Sequence, residues 1–208
     1  MNERHILSRA SKSPTQERGE RRVADLLQSA EYFFETDGYD GTTMSGIANR
    51  AGASVGSLYQ FFPSKENIGL ALLLRYMDEL SGQLDEFEKD LPDTPKEFAH
   101  RLISIILDFV AQRPVWAILS DVPALMPHQY ALDRLSAVLG GMMASYARSM
   151  KERELSRVSI TASLMIRAAA QGIRLVDARE RASLRREMQR ALGSYLEERL
   201  SSRPNAHE

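Results

Sequence analysis

The chain has 208 residues, no cysteine, and a formal net charge of -1 from 27 lysines and arginines against 28 aspartates and glutamates. This excludes disulfides, thiolate metal sites and a thiol nucleophile, and it excludes nucleic-acid coating driven by bulk positive charge. Hydrophobic residues at 43% and charged residues at 26% describe an ordinary globular chain, one medium domain or a small domain fused to a larger one.

The first 15 or so residues lack a sustained helical stripe, and 1–17 are expected to form a flexible basic arm. From Arg21 the apolar residues Val23, Leu26, Leu27, Ala30, Phe33 and Phe34 recur at amphipathic-helix spacing, and Gly38 ends the pattern. Thr42 or Thr43 then caps a short helix whose apolar face is Met44, Ile47, Ala48 and Ala51, and Gly52 supplies the left-handed turn that stops it. Ser54 caps a second short helix with Val55, Leu58, Tyr59 and Phe62 on it, and Pro63 interrupts the chain before Ser64 restarts it. A long helix follows over 64–87 on Ile68, Leu72, Leu73, Tyr76, Met77, Leu80, Leu84 and Phe87, until Pro92 and Pro95 break it. Further helices are predicted over 95–111 and 128–151, with short pieces between Pro114, Pro123 and Pro127. The last two patterns, 156–177 and 181–200, suggest an antiparallel hairpin. No strand is predicted, and the reading is all-α with about nine helices.

Two short capped helices joined by a glycine turn fit a helix-turn-helix, in which the second helix enters the major groove. Periodicity alone fits a partnerless helical hairpin equally well. Packing takes Met44, Ile47, Ala48 and Ala51 from the first helix and Leu58 and Phe62 from the second, leaving Ser54, Val55, Gly56, Ser57 and Gln60 to face outwards. Small side chains allow close approach to base edges, Gln60 suits adenine and Val55 suits a thymine methyl. The interval 41–65 contains Arg50 and Lys65 and no acid, so this surface is expected to be locally positive.

Particular residues decide between the two readings. Phe33-Phe34 before Gly38-Tyr39, then Thr42-Thr43, Ile47-Ala48, Ala51-Gly52, Gly56, Leu58-Tyr59, Phe62 and Ser64-Lys65-Glu66 together resemble the N-terminal domain of the TetR family of regulators. Gly46 inside the first short helix and Ala53 after the turn depart from the usual family wording, and a glycine there costs about 1 kcal/mol relative to Ala. The resemblance implies a homodimer with a recognition helix over 54–61, Thr43 and Tyr59 on phosphates, and Lys65 meeting the DNA backbone. A threonine hydroxyl, a lysine ammonium and a tyrosine tip are suited to such contacts. Arg18, Arg21 and Arg22 are unassigned phosphate candidates, and Arg50 reads as a solvated surface residue.

The expected organisation is an arm over 1–17, a three-helix DNA-binding domain over 18–66, a larger helical effector-binding and dimerisation domain over 67–202, and a polar tail over 203–208. For the dimer the resemblance implies the C-terminal hairpin. The candidates are Met165, Ala169, Gly172, Ile173, Val176, Leu184, Met188, Leu192, Tyr195 and Leu196. It also implies an effector cavity in the middle helices, with Met77, Phe109, Trp116, Met126, Tyr130, Met142, Met143, Tyr146 and Met165 as candidate lining. For any single one of these, plain core is the stronger reading.

No nucleophile with a base, phosphate loop or nucleotide fingerprint is found, and His5, His100, His128 and His207 are scattered. Neither an enzyme nor a cofactor or metal is therefore expected. The polar N-terminus and the lack of about 18 consecutive apolar residues lead to the expectation of a cytoplasmic protein with no membrane partner. The reading is a ligand-responsive repressor that binds a palindromic DNA operator as a dimer and is released by a small hydrophobic or aromatic effector. Activation, or control by a protein partner, stays open.

Overall fold

The computed structural model describes residues 14–125 and 128–201, with side chains from Glu17 onward except His128. The arm over 1–13, the tail over 203–208 and Met126 lie outside the described residues. Among the described residues there are nine helices and no strand: α1 (Pro14–Gly41), α2 (Met44–Arg50), α3 (Val55–Phe61), α4 (Lys65–Glu88), α5 (Pro95–Gln112), α6 (Pro114–Ser120), α7 (His128–Met143), α8 (Glu152–Leu175) and α9 (Ala178–Ser201). No single helix among them is long and apolar enough to cross a membrane. The chain divides into two compact units, one through Leu72 and one from Leu73.

In the first unit α1 starts at Pro14, so 14–17 of the expected arm are helical. A proline is tolerated at a first helical position because that N–H has no intrahelical partner, and Glu17 in the first turn complements the helix dipole. Gly38, at φ 74°, breaks α1 as expected, and the chain keeps one further turn to Gly41. The Thr42 hydroxyl donates to the Gly38 carbonyl at 2.7 Å, and Thr42 is buried there. The core of this unit is Leu26, Ala30, Phe34, Ile47, Ala48, Leu58, Phe62, Ile68 and Leu72, all buried. Met44, expected inward, is half-buried.

In the second unit α5 packs on α9 and α8, and α7 packs on α8. Phe98, Leu102, Ile106 and Phe109 of α5, Leu192, Leu196 and Leu200 of α9, and Val158, Ala162 and Ile166 of α8 are all buried. The Phe87 ring stacks on Phe98 at 5.5 Å between centroids. At Gly193 the α9 backbone lies so close to α5 that a Cβ would sit 3.2 Å from Lys96 Cγ and 3.3 Å from the His100 ring. Gly193→Leu is expected to destabilise the protein by about 1–3 kcal/mol through overpacking, read as a lowered melting temperature by circular dichroism. An unchanged melting temperature would show that α9 shifts away freely.

Three boundaries differ from the sequence reading. The helix expected over 128–151 stops at Met143, because 144–150 turns on i to i−3 hydrogen bonds such as Tyr146 N–H to Met143 O and Met150 N–H to Ala147 O. The Tyr146 hydroxyl meanwhile donates to the Pro92 carbonyl at 2.5 Å, a partner 54 residues away. α8 begins at Glu152, four residues before the expected 156, with Glu152 and Glu154 in its first turn where the helix dipole favours acids. α9 begins at Ala178 because the Asp177 carboxylate accepts from the N–H groups of Arg179 and Glu180 at 2.9 and 3.2 Å.

Candidate nucleic-acid interface and cavity

The short helices α2 and α3 are set by local chemistry. Thr43 Oγ1 accepts from the Gly46 N–H at 3.1 Å and Ser54 Oγ accepts from the Ser57 N–H at 3.1 Å, each satisfying an otherwise orphaned helix N-terminal donor. Between them Gly52 takes φ 60°, a left-handed conformation that costs other residues about 1–2 kcal/mol. Gly46, the departure inside α2, has a reason in space: a Cβ there would lie 3.1 Å from Thr43 Oγ1 and 3.5 Å from the Phe33 ring.

Of the residues expected to face outwards, Ser54, Val55, Gly56 and Gln60 are exposed. Leu58 and Phe62 are buried, whereas Val55, Tyr59 and Phe61 are 41%, 49% and 39% exposed, and Gly56 and Gln60 are exposed beside them. Phe61 adds an apolar edge that its neighbourhood in the sequence did not single out. Thr43 is exposed at the head of α2, where its hydroxyl oxygen accepts the capping bond and also lies 3.4 Å from Ser45 Oγ. Ser54 serves mainly as a cap, and Ser57 is half-buried.

The cations of this unit are occupied in ways the sequence did not reveal. Lys65 Nζ donates to the carbonyls of Tyr39, Asp40 and Thr42 at 2.7, 3.3 and 3.1 Å and lies 4.6 Å from the Tyr39 ring centroid. The ammonium thereby holds the three carbonyls around the end of α1. Burial, then the nearby Glu66 carboxylate, pushes the Tyr39 hydroxyl up to about 12, so that ring stays neutral beneath the ammonium. Arg22 Nη1 makes long hydrogen bonds to the Ala51 and Gly52 carbonyls at 3.4 and 3.3 Å, closing the C-terminal end of α2. Arg50, read as a solvated residue, stacks on the Tyr32 ring at 3.5 Å. Arg18 and Arg21 are exposed on α1.

The second unit holds a cavity of about 170 Å³ whose apolar wall is Met77, Leu80 and Leu84 of α4, Trp116 of α6, Ala131, Leu135 and Val138 of α7, and Ala170 of α8. Ser81, Ser120, Asp121, Arg134, Arg167 and Gln171 add the polar part. Of the expected lining among the described residues, Met77 and Trp116 are the two in its walls. Phe109, Met142 and Met143 are buried core instead, Phe109 supporting Trp116 edge to face at 5.7 Å. Tyr146 lies against Phe98 at 5.6 Å, Tyr130 is exposed, and Met165 is half-buried outside the cavity. Met and aromatic side chains divide between this cavity, the core and the surface, so their type does not mark the wall. The wall is built from leucines at helical spacing on α4 and α7, a pattern that looks the same whether it faces protein or ligand.

The candidate dimer stripes also divide. Ala169, Leu192 and Leu196 are buried in the chain's own core, which removes them from any surface. Met165, Gly172, Ile173, Val176, Leu184, Met188 and Tyr195 are half-buried. The large exposed apolar residues of α8 are Ile160 and Leu164, four residues apart on one side, with Leu175 at the helix end. The stripe read from the sequence holds α8 residues that are buried or half-buried instead.

Comparison with known proteins finds a match over residues 26–72 to the family model described as bacterial regulatory proteins, tetR family. The HTH-type transcriptional regulator RutR of Escherichia coli (strain K12) is 27% identical over 129 residues, 58% of this chain and 61% of that protein, so the chain spans under two thirds of its length. The HTH-type transcriptional activator FasR of Mycolicibacterium smegmatis is 44% identical over 63 residues, 30% of this chain and 28% of that one. Among solved structures, a TetR-family transcriptional regulator from Streptomyces coelicolor superposes with a TM-score of 0.65 at 20% identity, covering 86% of this chain and 99% of that one. FadR from Bacillus subtilis, in complex with stearoyl-CoA, gives 0.64 at 19% identity over 86% and 97%. These two likenesses establish the fold.

Proposed function

We propose that this chain, whose residues 26–72 match the model of the tetR family of bacterial regulatory proteins, is a DNA-binding transcriptional regulator acting as a homodimer on a palindromic operator. The observation that carries the reading is α3. It keeps Leu58 buried while Val55, Gly56, Tyr59 and Gln60 stand in solvent, over a stretch 41–65 that contains no acid. A helix so faced suits a major groove, with Val55 and Gln60 on bases and Thr43 and Tyr59 on phosphates.

The cavity in the second unit supports control by a small apolar effector over control by a protein partner. FadR, with the same fold, was solved with stearoyl-CoA, an acyl thioester. Coupling runs through α4. Its N-terminal residue Lys65 holds the carbonyls just ahead of Thr43, and its later residues Met77 and Leu80 wall the cavity. An effector weakens operator binding only by its preference for the released state, and a tenfold preference per site is about 1.4 kcal/mol. Repression by covering a promoter needs no further contact. Activation is the second reading, favoured by the 44% identity to an activator over 63 residues.

Selection of bound fragments from genomic DNA by the purified full-length chain is expected to enrich an inverted repeat. Recovery no different from shuffled DNA would overturn the DNA-binding reading. Transcription in vitro from a promoter carrying that repeat then separates repression from activation by the sign of the change.

A further inference from the structure

The cavity of the second unit is apolar in its depth and cationic at its edge. Met77, Leu84, Trp116 and Leu135 supply the apolar walls, and Arg134 of α7 and Arg167 of α8 stand among the lining residues. Arg134 is four residues before Val138, which also lines the cavity, so its stem shares that face of α7. The acid among the lining residues, Asp121, is engaged by Arg174 at 3.3 Å. Arg134 makes no ion pair among the described residues, and its side chain is exposed. A guanidinium keeps its charge at any physiological pH and offers a planar fork that matches a carboxylate.

The size narrows the occupant. A cavity of about 150 Å³ lined by apolar residues admits benzene, and this one is about 170 Å³. Resting on the reading of this cavity as the effector site, we propose that it takes a small amphipathic anion: one aromatic ring or a short acyl chain in the apolar depth, with a carboxylate against Arg134. A neutral ligand of the same shape forgoes the charge-assisted hydrogen bonds, and a cationic one meets like charge at the edge.

Trp116 is the sole tryptophan of the chain and lines the cavity, so its emission reports occupancy directly. The full-length protein is titrated with phenylacetate and hexanoate, with the matching alcohols 2-phenylethanol and hexanol, and with the amines 2-phenylethylamine and hexylamine. At least one acid is expected to shift Trp116 emission with an affinity tenfold or more above its alcohol, and the amines are expected to bind more weakly still. In Arg134→Met, a change at an exposed position whose folding is checked by circular dichroism, the ratio of acid to alcohol affinity is expected to fall towards one. Equal affinity for acid, alcohol and amine would overturn the anionic preference and leave an apolar effector site standing. Silence of Trp116 towards all six would overturn the proposal itself. Acid binding as expected with operator affinity unchanged would support the site and overturn its role as the effector site.

Discussion

Lys65→Met is expected to destabilise the N-terminal unit by about 2–3 kcal/mol and to weaken DNA binding at least tenfold, while leaving the salt dependence of that binding nearly as it was. Hydrogen bonds to a charged group contribute about 1.5–3 kcal/mol each, and less than their sum when they share one donor group. Here one ammonium serves the carbonyls of Tyr39, Asp40 and Thr42, which the end of α1 leaves without helical partners. Methionine keeps length and apolar stem but satisfies none of them, so the segment leading to Thr43 and α2 loosens. The salt slope separates this positioning role from direct phosphate contact. A lysine that neutralises a phosphate contributes about 0.9 to the slope of log affinity against log salt, and its loss shows there without a fall in melting temperature. Lys65→Arg is expected to be intermediate, since a planar fork does not reproduce three converging bonds to carbonyls. A variant with unchanged melting temperature and a slope reduced by about one unit would assign Lys65 to the DNA instead.

Tyr59→Ala and Gln60→Ala are expected to fail in different ways. Both side chains are exposed on α3 and neither makes a hydrogen bond or ring contact among the described residues, so both variants should melt within about 0.5 kcal/mol of the parent, as ordinary surface substitutions do. Tyr59→Ala should weaken binding to operator and non-operator DNA alike, by about tenfold, because a phosphate contact carries no sequence information. Gln60→Ala should leave non-operator binding in place and relax preference at one base pair, worth about 1–3 kcal/mol on the operator. Competition binding against a set of single-base operator variants reads both. Undiminished affinity and preference in both variants would remove α3 from the groove.

The short helices were legible because their determinants are local. Thr43 and Ser54 cap donors three residues on, and Gly52 adopts the positive φ that its place after Ala51 suggested. The hairpin stripes were half legible. Periodicity marks an apolar face of α8 and α9, but cannot say that Ala169, Leu192 and Leu196 go to the chain's own core while Ile160 and Leu164 stay in solvent. The cavity was the least legible, since a leucine beside a void and a leucine beside another leucine have the same spacing.

By itself the sequence determined the all-α character, the capped helix-turn-helix and the outward residues of α3, because these follow from hydrogen bonds and periodicities spanning three or four residues. Tertiary structure alone decided where the long cations go. Lys65 reaches carbonyls 23 to 26 residues back, Arg22 closes a helix end 29 and 30 residues ahead, and Arg50 settles on Tyr32. A flexible charged side chain takes whichever helix end or ring the fold brings within reach, and no order along the chain records that. The cavity beside Trp116 and Arg134 has the same origin: it is a space between α4, α6, α7 and α8, defined only once those helices have packed.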